Sequence, residues 1–242
     1  QNKREAPEVM KKTLVLVGCA LLIAPTAFSQ VYSANAVGYV KKTIAPGALD
    51  LLRYDFLAID GATTTVAEVL PADNTPANTR VFLWDAAGQQ FSIETLVSDK
   101  TGTAWSPGTS EITPGVGFFV QIDAAEAADV DLVMVGEVPG DNNNSAASSV
   151  AIVEGLSLVG YAYPASVAWT DTTLAGAAVD GDRLFTWDTA SQQYNIDTYV
   201  VDKTGSAWSP GDKVLEPGQG FFYSRVVGEG ALSWDETKPY AW

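Results

Sequence analysis

The sequence predicts a mainly β protein built from two tandem repeats of about a hundred residues, each a small β-sandwich or barrel with a short helix. Three observations predict it. Residues 80–120, "RVFLWDAAGQQFSIETLVSDKTGTAWSPGTSEITPGVGFFV", align without a gap to residues 183–223, "RLFTWDTASQQYNIDTYVVDKTGSAWSPGDKVLEPGQGFFY", with more than half the positions identical. Inside each copy the apolar residues recur with a period of two, the spacing of strands. Clusters of Gly, Pro, Asp and Thr punctuate those runs at turn spacing.

Taken along the chain, residues 1–9 read as a non-native or upstream segment. Residues 10–29, "MKKTLVLVGCALLIAPTAFS", read as a secretory signal peptide. Lys11 and Lys12 precede an apolar run from Leu14 to Ile23, and Ala27-Phe28-Ser29 supplies a small-x-small site for cleavage after Ser29. The run is short of the ~20 residues of a membrane span and contains Pro25, so no span is expected in the mature chain. Leu16-Val17-Gly18-Cys19 also resembles a lipobox, which gives a lipoprotein anchored through Cys19 as the minority reading.

Cleavage at Ser29 takes away Lys3, Arg4, Lys11, Lys12, Glu5 and Glu8. Of 14 basic and 29 acidic residues, 10 and 27 remain, a formal charge of −17 against −15 for the whole chain. So acidic a surface repels nucleic acid and anionic lipid. The chain has no histidine, and its single cysteine lies in the signal segment. Disulfides, thiol nucleophiles, Cys/His zinc sites and Ser-His-Asp triads are thereby excluded from one mature chain. Any enzyme would rest on carboxylates, and a two-carboxylate glycosidase is the plausible form.

The first repeat is expected over residues 30–138 and the second over 150–242, with "PGDNNNSAASS" (139–149) as linker or exposed loop. Upstream of the strong repeat, "GALDLLRYDF" (47–56) faces "EGLSLVGYAY" (154–163), and "TTTVAEVL" (63–70) faces "DTTLAGAA" (171–178) and predicts the short helix. In "VFLWD" and "LFTWD", Phe82 with Trp84 and Phe185 with Trp187 share one face. Phe91, Ile93 and Thr95, matched by Tyr194, Ile196 and Thr198, continue it across a turn, which reads as a hairpin with aromatic packing on its inner face. After "PGVG" and "PGQG", turns of type II by composition, Phe118-Phe119 and Phe221-Phe222 open a strand with one ring on each face. "DAAEAADVDL" (123–132) has room for another helical turn. A weaker echo links "VGYV" (37–40) to "VGEV" (135–138) and "VGEG" (227–230), in which the first copy is a spare strand that pairs between the repeats or with another molecule.

"DKTGTAWSPG" (99–108) and "DKTGSAWSPG" (202–211) set a Trp between two turns. Asp99 and Gly102, like Asp202 and Gly205, suit the ends of one turn, and Pro107-Gly108 and Pro210-Gly211 suit a second. Trp84, Trp187, Trp105, Trp208, Phe118 and Phe221 are therefore expected to anchor the repeats. A rival reading makes Trp105 and Trp208 carbohydrate-stacking residues displayed on loops. Asp85, Asp188, Asp99 and Asp202 are the duplicated carboxylates open to catalysis, but Asp at such positions caps backbone donors. No cofactor is called for. Calcium is the one ion the acidic turns "DGD" (180–182) and "GDNNN" (140–144) would suit, although neither has the spacing of a calcium loop. Asn143-Asn144-Ser145 is a formal glycosylation acceptor.

"VYSANAVGYV", the paired "WD" hairpins, "AWSPG", "PG-x-GFF" and "VGEVPG" together resemble a family of uncharacterised secreted two-repeat proteins of Verrucomicrobia and Planctomycetes bacteria. The resemblance spans nearly the whole mature chain. It implies an exported β-rich protein and no assigned activity, catalytic residue or ligand. The expectation is a secreted, non-enzymatic structural or interaction protein of the envelope or extracellular matrix, self-associating through strand edges. Its partners would be itself or other envelope and matrix proteins, with polysaccharide as the alternative.

Overall fold

The computed structural model describes residues 36–59, 64–112, 115–139 and 148–240. The expected signal segment with Cys19 and Ser29, and residues 140–147 with the glycosylation and "GDNNN" motifs, lie outside them.

The first repeat runs β1 (Val37–Ile44), β2 (Leu49–Arg53), α1 (Val66–Val69), β3 (Arg80–Asp85), β4 (Gln90–Asp99), β5 (Gly102–Ser106), β6 (Gly117–Gln121) and β7 (Val130–Glu137). The second runs β8 (Ser148–Ile152), β9 (Gly155–Gly160), β10 (Val167–Ala168), α2 (Thr173–Gly176), β11 (Arg183–Asp188), β12 (Gln193–Asp202), β13 (Gly205–Ser209), β14 (Val214–Leu215), β15 (Gly220–Arg225) and β16 (Leu232–Glu236). Each repeat holds one five-stranded antiparallel sheet, ordered β2-β6-β3-β4-β5 in the first and β9-β15-β11-β12-β13 in the second. The fold is mainly β with two similar sheets, as the duplicated alternation predicts.

Local chemistry explains the elements. The helix α1 starts at a capping box, in which the Thr65 backbone donates to the Glu68 carboxylate (2.7 Å). The β4–β5 hairpin closes over Lys100-Thr101, and Gly102 there takes φ +135°, a value that penalises any Cβ. Gly218 takes φ +71° and the Gln219 N–H reaches the Glu216 carbonyl (3.0 Å), so "EPGQ" is the expected type II turn.

One face of each sheet packs within its own repeat. In the first, Val81, Leu96, Trp105, Phe118 and Val120 meet Val40, Ile44, Leu132 and Met134 of the β1–β7 pair. In the second, Leu184, Trp208, Phe221 and Tyr223 meet Val150, Ile152 and Trp234 of the β8–β16 pair. The opposite faces pack on each other: Leu51 and Phe119 with Leu158 and Phe222, flanked by Phe82, Trp84, Phe185 and Trp187. The two repeats therefore share a third core, and the described residues fall within one compact unit.

Three expectations change. "VGYV" is not spare: it is the start of β1 and pairs with β7 of its own repeat, Gly38 opposite Gly136. The second repeat fills that place with β8, drawn from the end of the supposed linker, while "VGEG" stays outside the strands. Residues 123–129 make turns and no helix, because Asp123 accepts the Ala125 N–H (3.0 Å) and the chain then enters β7. The aromatic face of the β3–β4 hairpin points to the other repeat, and Val81 and Leu96 occupy the inner position.

Candidate functional site

Trp105 stands on β5 with its side chain on the inward face, 7% exposed, and Trp208 on β13 is 8% exposed. Each indole N–H donates to a helix-end carbonyl: Trp105 Nε1 to Leu70 O (2.7 Å), Trp208 Nε1 to Ala175 O (3.1 Å). Trp208 also packs edge-on against Trp169, centroids 5.0 Å apart. A sugar platform needs an open ring face, and neither indole has one. What remains near Trp105 is a shallow cleft of about 360 Å³ lined by Pro71, Ala72, Thr103 and Pro107.

The "SPG" turn beyond each Trp is held from below by a buried carboxylate that the sequence reading missed. Glu94, 1% exposed, accepts the N–H groups of Gly108 (3.1 Å) and Ser110 (2.8 Å). Its counterpart Asp197, fully buried, accepts Gly211 N–H (3.1 Å). Its signal was present, since Glu94 and Asp197 interrupt the strands on the same inward parity as Leu96 and Tyr199. The Ser106-Pro107 and Ser209-Pro210 bonds are both cis, and Gly108 and Gly211 follow them at φ +77° and +74°.

Trp84 and Trp187 tie the repeats to each other. Trp84 Nε1 donates to Leu156 O and Trp187 Nε1 to Leu49 O, each at 2.9 Å. Gln89 clasps both backbone groups of Leu156, and Gln192 those of Leu49. Phe118 and Phe221, fully buried, anchor the two separate cores, while Phe119 and Phe222 enter the shared one.

The duplicated aspartates serve turns. Asp99 accepts Thr101 Oγ1 (2.5 Å) and N (2.7 Å), and Asp202 accepts Thr204 likewise (2.6 and 2.7 Å). Those hydroxyl and backbone donors hold both carboxyls below the usual range. Asp85 accepts the Ala87 N–H (3.0 Å), and Asp188 accepts Ser191 Oγ (2.6 Å) and Ala190 N–H (3.0 Å). Asp85 and Asp99 stand at opposite ends of β4, so each hairpin separates its own two carboxylates by the length of that strand.

"DGD" differs from the exposed turn expected of it. Asp182 is fully buried and accepts from Tyr223 Oη (2.5 Å), Arg225 Nη1 (3.3 Å), Val179 N (3.1 Å) and Val226 N (2.9 Å). Burial, then the Asp182 hydrogen bond and charge, push the Tyr223 phenol far above its ordinary value. A second buried pair, Arg53 Nη1 to Asp55 Oδ1 (2.6 Å), sits between the repeats, and Asp55 also accepts the Gly218 N–H. Among the described residues no group of three or more Asp, Glu, His or Cys is placed to hold a metal ion.

Two apolar stripes remain open. Beyond the shared core, β4 presents Phe91, Ile93 and Val97, and β12 presents Tyr194, Ile196 and Val200, each between 41% and 52% exposed. The residues thus define a two-repeat β protein with paired external faces. No family model, curated protein or solved structure matches the chain. Among the described residues no helix is long and apolar enough to cross a membrane.

Proposed function

We propose that the protein is a secreted, non-enzymatic structural or interaction protein of the cell envelope or extracellular matrix, associating with copies of itself through strand edges. The observation that carries this reading is the disposition of the edges. The inner edges β2 and β9 are covered by the other repeat, through the bridges of Leu52 with Gln219 and Val116 with Val159. Within the two five-stranded sheets the outer edges β5 and β13 remain unpaired among the described residues, one per repeat. In a hairpin closed by a two-residue loop, the antiparallel alternation turns the N–H and C=O of Thr103 away from β4, and those of Ser206 away from β12. Such edges are templates for another strand. The signal-like segment and the acidic, histidine-free composition support export and a role outside catalysis.

The test is negative-stain microscopy and light scattering of the purified full chain across a concentration and calcium series. The Thr103→Pro/Ser206→Pro variant removes one of the two outward donors on each edge, sets a proline ring in the path of an added strand, and leaves the bonds to β4 and β12 in place. Extended assemblies in the parent and none in the variant are expected. A parent that stays monomeric throughout the series would refute the reading.

A further inference from the structure

The two apolar stripes call for an occupant. On β4 and its neighbour β3 the stripe consists of Phe91, Ile93 and Val97 beside Phe82 and Trp84. On β12 and β11 it consists of Tyr194, Ile196 and Val200 beside Phe185 and Trp187. Ile93 is 52% exposed and Ile196 50%, high for β-branched residues in mid-strand. Duplication has kept both stripes, position for position.

Each stripe continues an interface whose partner is already visible. The rings at its inner end pack on the other repeat: Trp84 lies edge-on to Phe222 (5.5 Å), Phe91 to Phe222 (6.3 Å) and Phe119 to Trp187 (5.6 Å). At its outer end, past the β9 and β2 edges, the same face is left half-exposed among the described residues. The covered part thus records what this face packs against, namely a duplicate of itself. A cation stands at one end of each stripe, exposed Arg80 in register with Thr95 and exposed Arg183 in register with Thr198. In a chain with 29 acidic and 14 basic residues, another copy's surface complements that charge.

We infer that each stripe is a docking face for a second copy of this chain, packing sheet face to sheet face as the two repeats do internally. The inference rests on the self-association proposed above and adds to it a contact that uses side chains instead of strand edges. Two stripes make the molecule bivalent, so face contacts propagate beyond a dimer. From the exposures, each stripe offers on the order of 250 Å² of apolar surface, about a third of the ~800 Å² per partner of a standard stable interface. A single face contact is therefore weak and concentration-dependent. Salt screens the Arg80 and Arg183 attraction together with the like-charge repulsion between copies, and at 14 basic against 29 acidic residues the repulsion is the larger, so the contact tightens with salt.

The experiment is sedimentation velocity on the full chain at rising concentration in about 0.15 M and 0.5 M salt. It is run in the Thr103→Pro/Ser206→Pro background so that edge pairing is absent. The weight-average mass of this background should rise more than twofold. Adding Ile93→Lys should stop growth at the dimer, and Ile93→Lys with Ile196→Lys should leave a monomer with unchanged circular dichroism. If the edge-blocked background stays monomeric while the parent assembles, the inference falls and the edge reading stands. If the parent is monomeric, both fall. Association of the double Lys variant at the strength of the background would also overturn the inference.

Discussion

Replacing Trp105 by Ala tests whether "DKTGTAWSPG" is an anchor. The ring is 7% exposed and lies in the core with Leu96, Leu70 and Ile112, so truncation opens a cavity the backbone of β5 cannot close. Burial lost and cavity left together cost about 3–5 kcal/mol for a Trp→Ala change. Truncation also takes from Leu70 O its 2.7 Å donor, about 1 kcal/mol more where the carbonyl stays dry. The cleft beside Pro71 and Thr103 lets water reach that carbonyl, which places the expected loss near ~4 kcal/mol. Against a typical domain stability of 5–15 kcal/mol, such a variant is marginal. Trp105→Phe keeps most of the apolar contact and removes the N–H, for about 1–2 kcal/mol.

Guanidinium unfolding followed by far-UV circular dichroism measures both variants and their Trp208 counterparts. Because the repeats share a core, each substitution should lower the midpoint of one common transition at unchanged slope. A loss below about 1 kcal/mol for Trp105→Ala, or an equal loss for Ala and Phe, would refute the anchor argument. On a glycan array the stacking alternative requires binding that the Ala variants abolish, and the burial of both rings predicts no such signal.

Two further outcomes are expected. Arg53→Ala strands the Asp55 carboxylate between the repeats and should cost about 3–5 kcal/mol, whereas Arg53→Met with Asp55→Leu removes both charges and should cost only the about 1–3 kcal/mol of a Gly218 N–H left without its acceptor, as thermal unfolding of both would show. Burial pushes the phenols of Tyr54 and Tyr161 up to about 12, so their contribution to stability is full below the ordinary phenol value and is lost as pH rises from there through about 12. Ultraviolet titration should show late phenolate formation coincident with alkaline unfolding, and ionisation near the ordinary value in a still folded chain would contradict it.

Much of the architecture was legible because it depends on local pattern. The period-two runs specify β3, β4, β11 and β12 with their turns, and the Phe-Phe pairs place one ring on each face, as Phe118 and Phe119 do. What escaped depends on which face meets what. Alternation shows that Phe82 and Trp84 share a face with Phe91, but it cannot say whether that face meets its own repeat, another repeat or water, and here it meets the last two. Glu94 and Asp197 were passed over because a carboxylate in a strand reads as solvated. Only the turn amides above them, at Gly108 and Gly211, make their burial tolerable.

The same limit bears on the duplication, whose halves differ where buried charge sits. Arg53 and Asp55 of the first repeat correspond to Gly160 and Ala162 of the second. A Cβ on Gly160 would lie 2.2 Å from Arg53 Cδ, so the glycine is the space that the arginine fills. Asp182, Tyr223 and Arg225 of the second repeat correspond to Thr79, Val120 and Ile122 of the first, where Val120 and Ile122 belong to the apolar core and Thr79 is buried without a charge. Each repeat thus carries one buried ionic network, and the network of the first reaches across into a gap that only the second provides. Two first repeats docked in this geometry would set Arg53 against Arg53. Two second repeats would leave the gap empty and the Gly218 N–H without its Asp55 acceptor. The internal interface is therefore specific for one copy of each kind, although the aromatic faces around it are nearly interchangeable. That asymmetry ties the repeats within a chain to each other and leaves their outer stripes, which carry no such lock, as the faces equivalent enough to meet between chains.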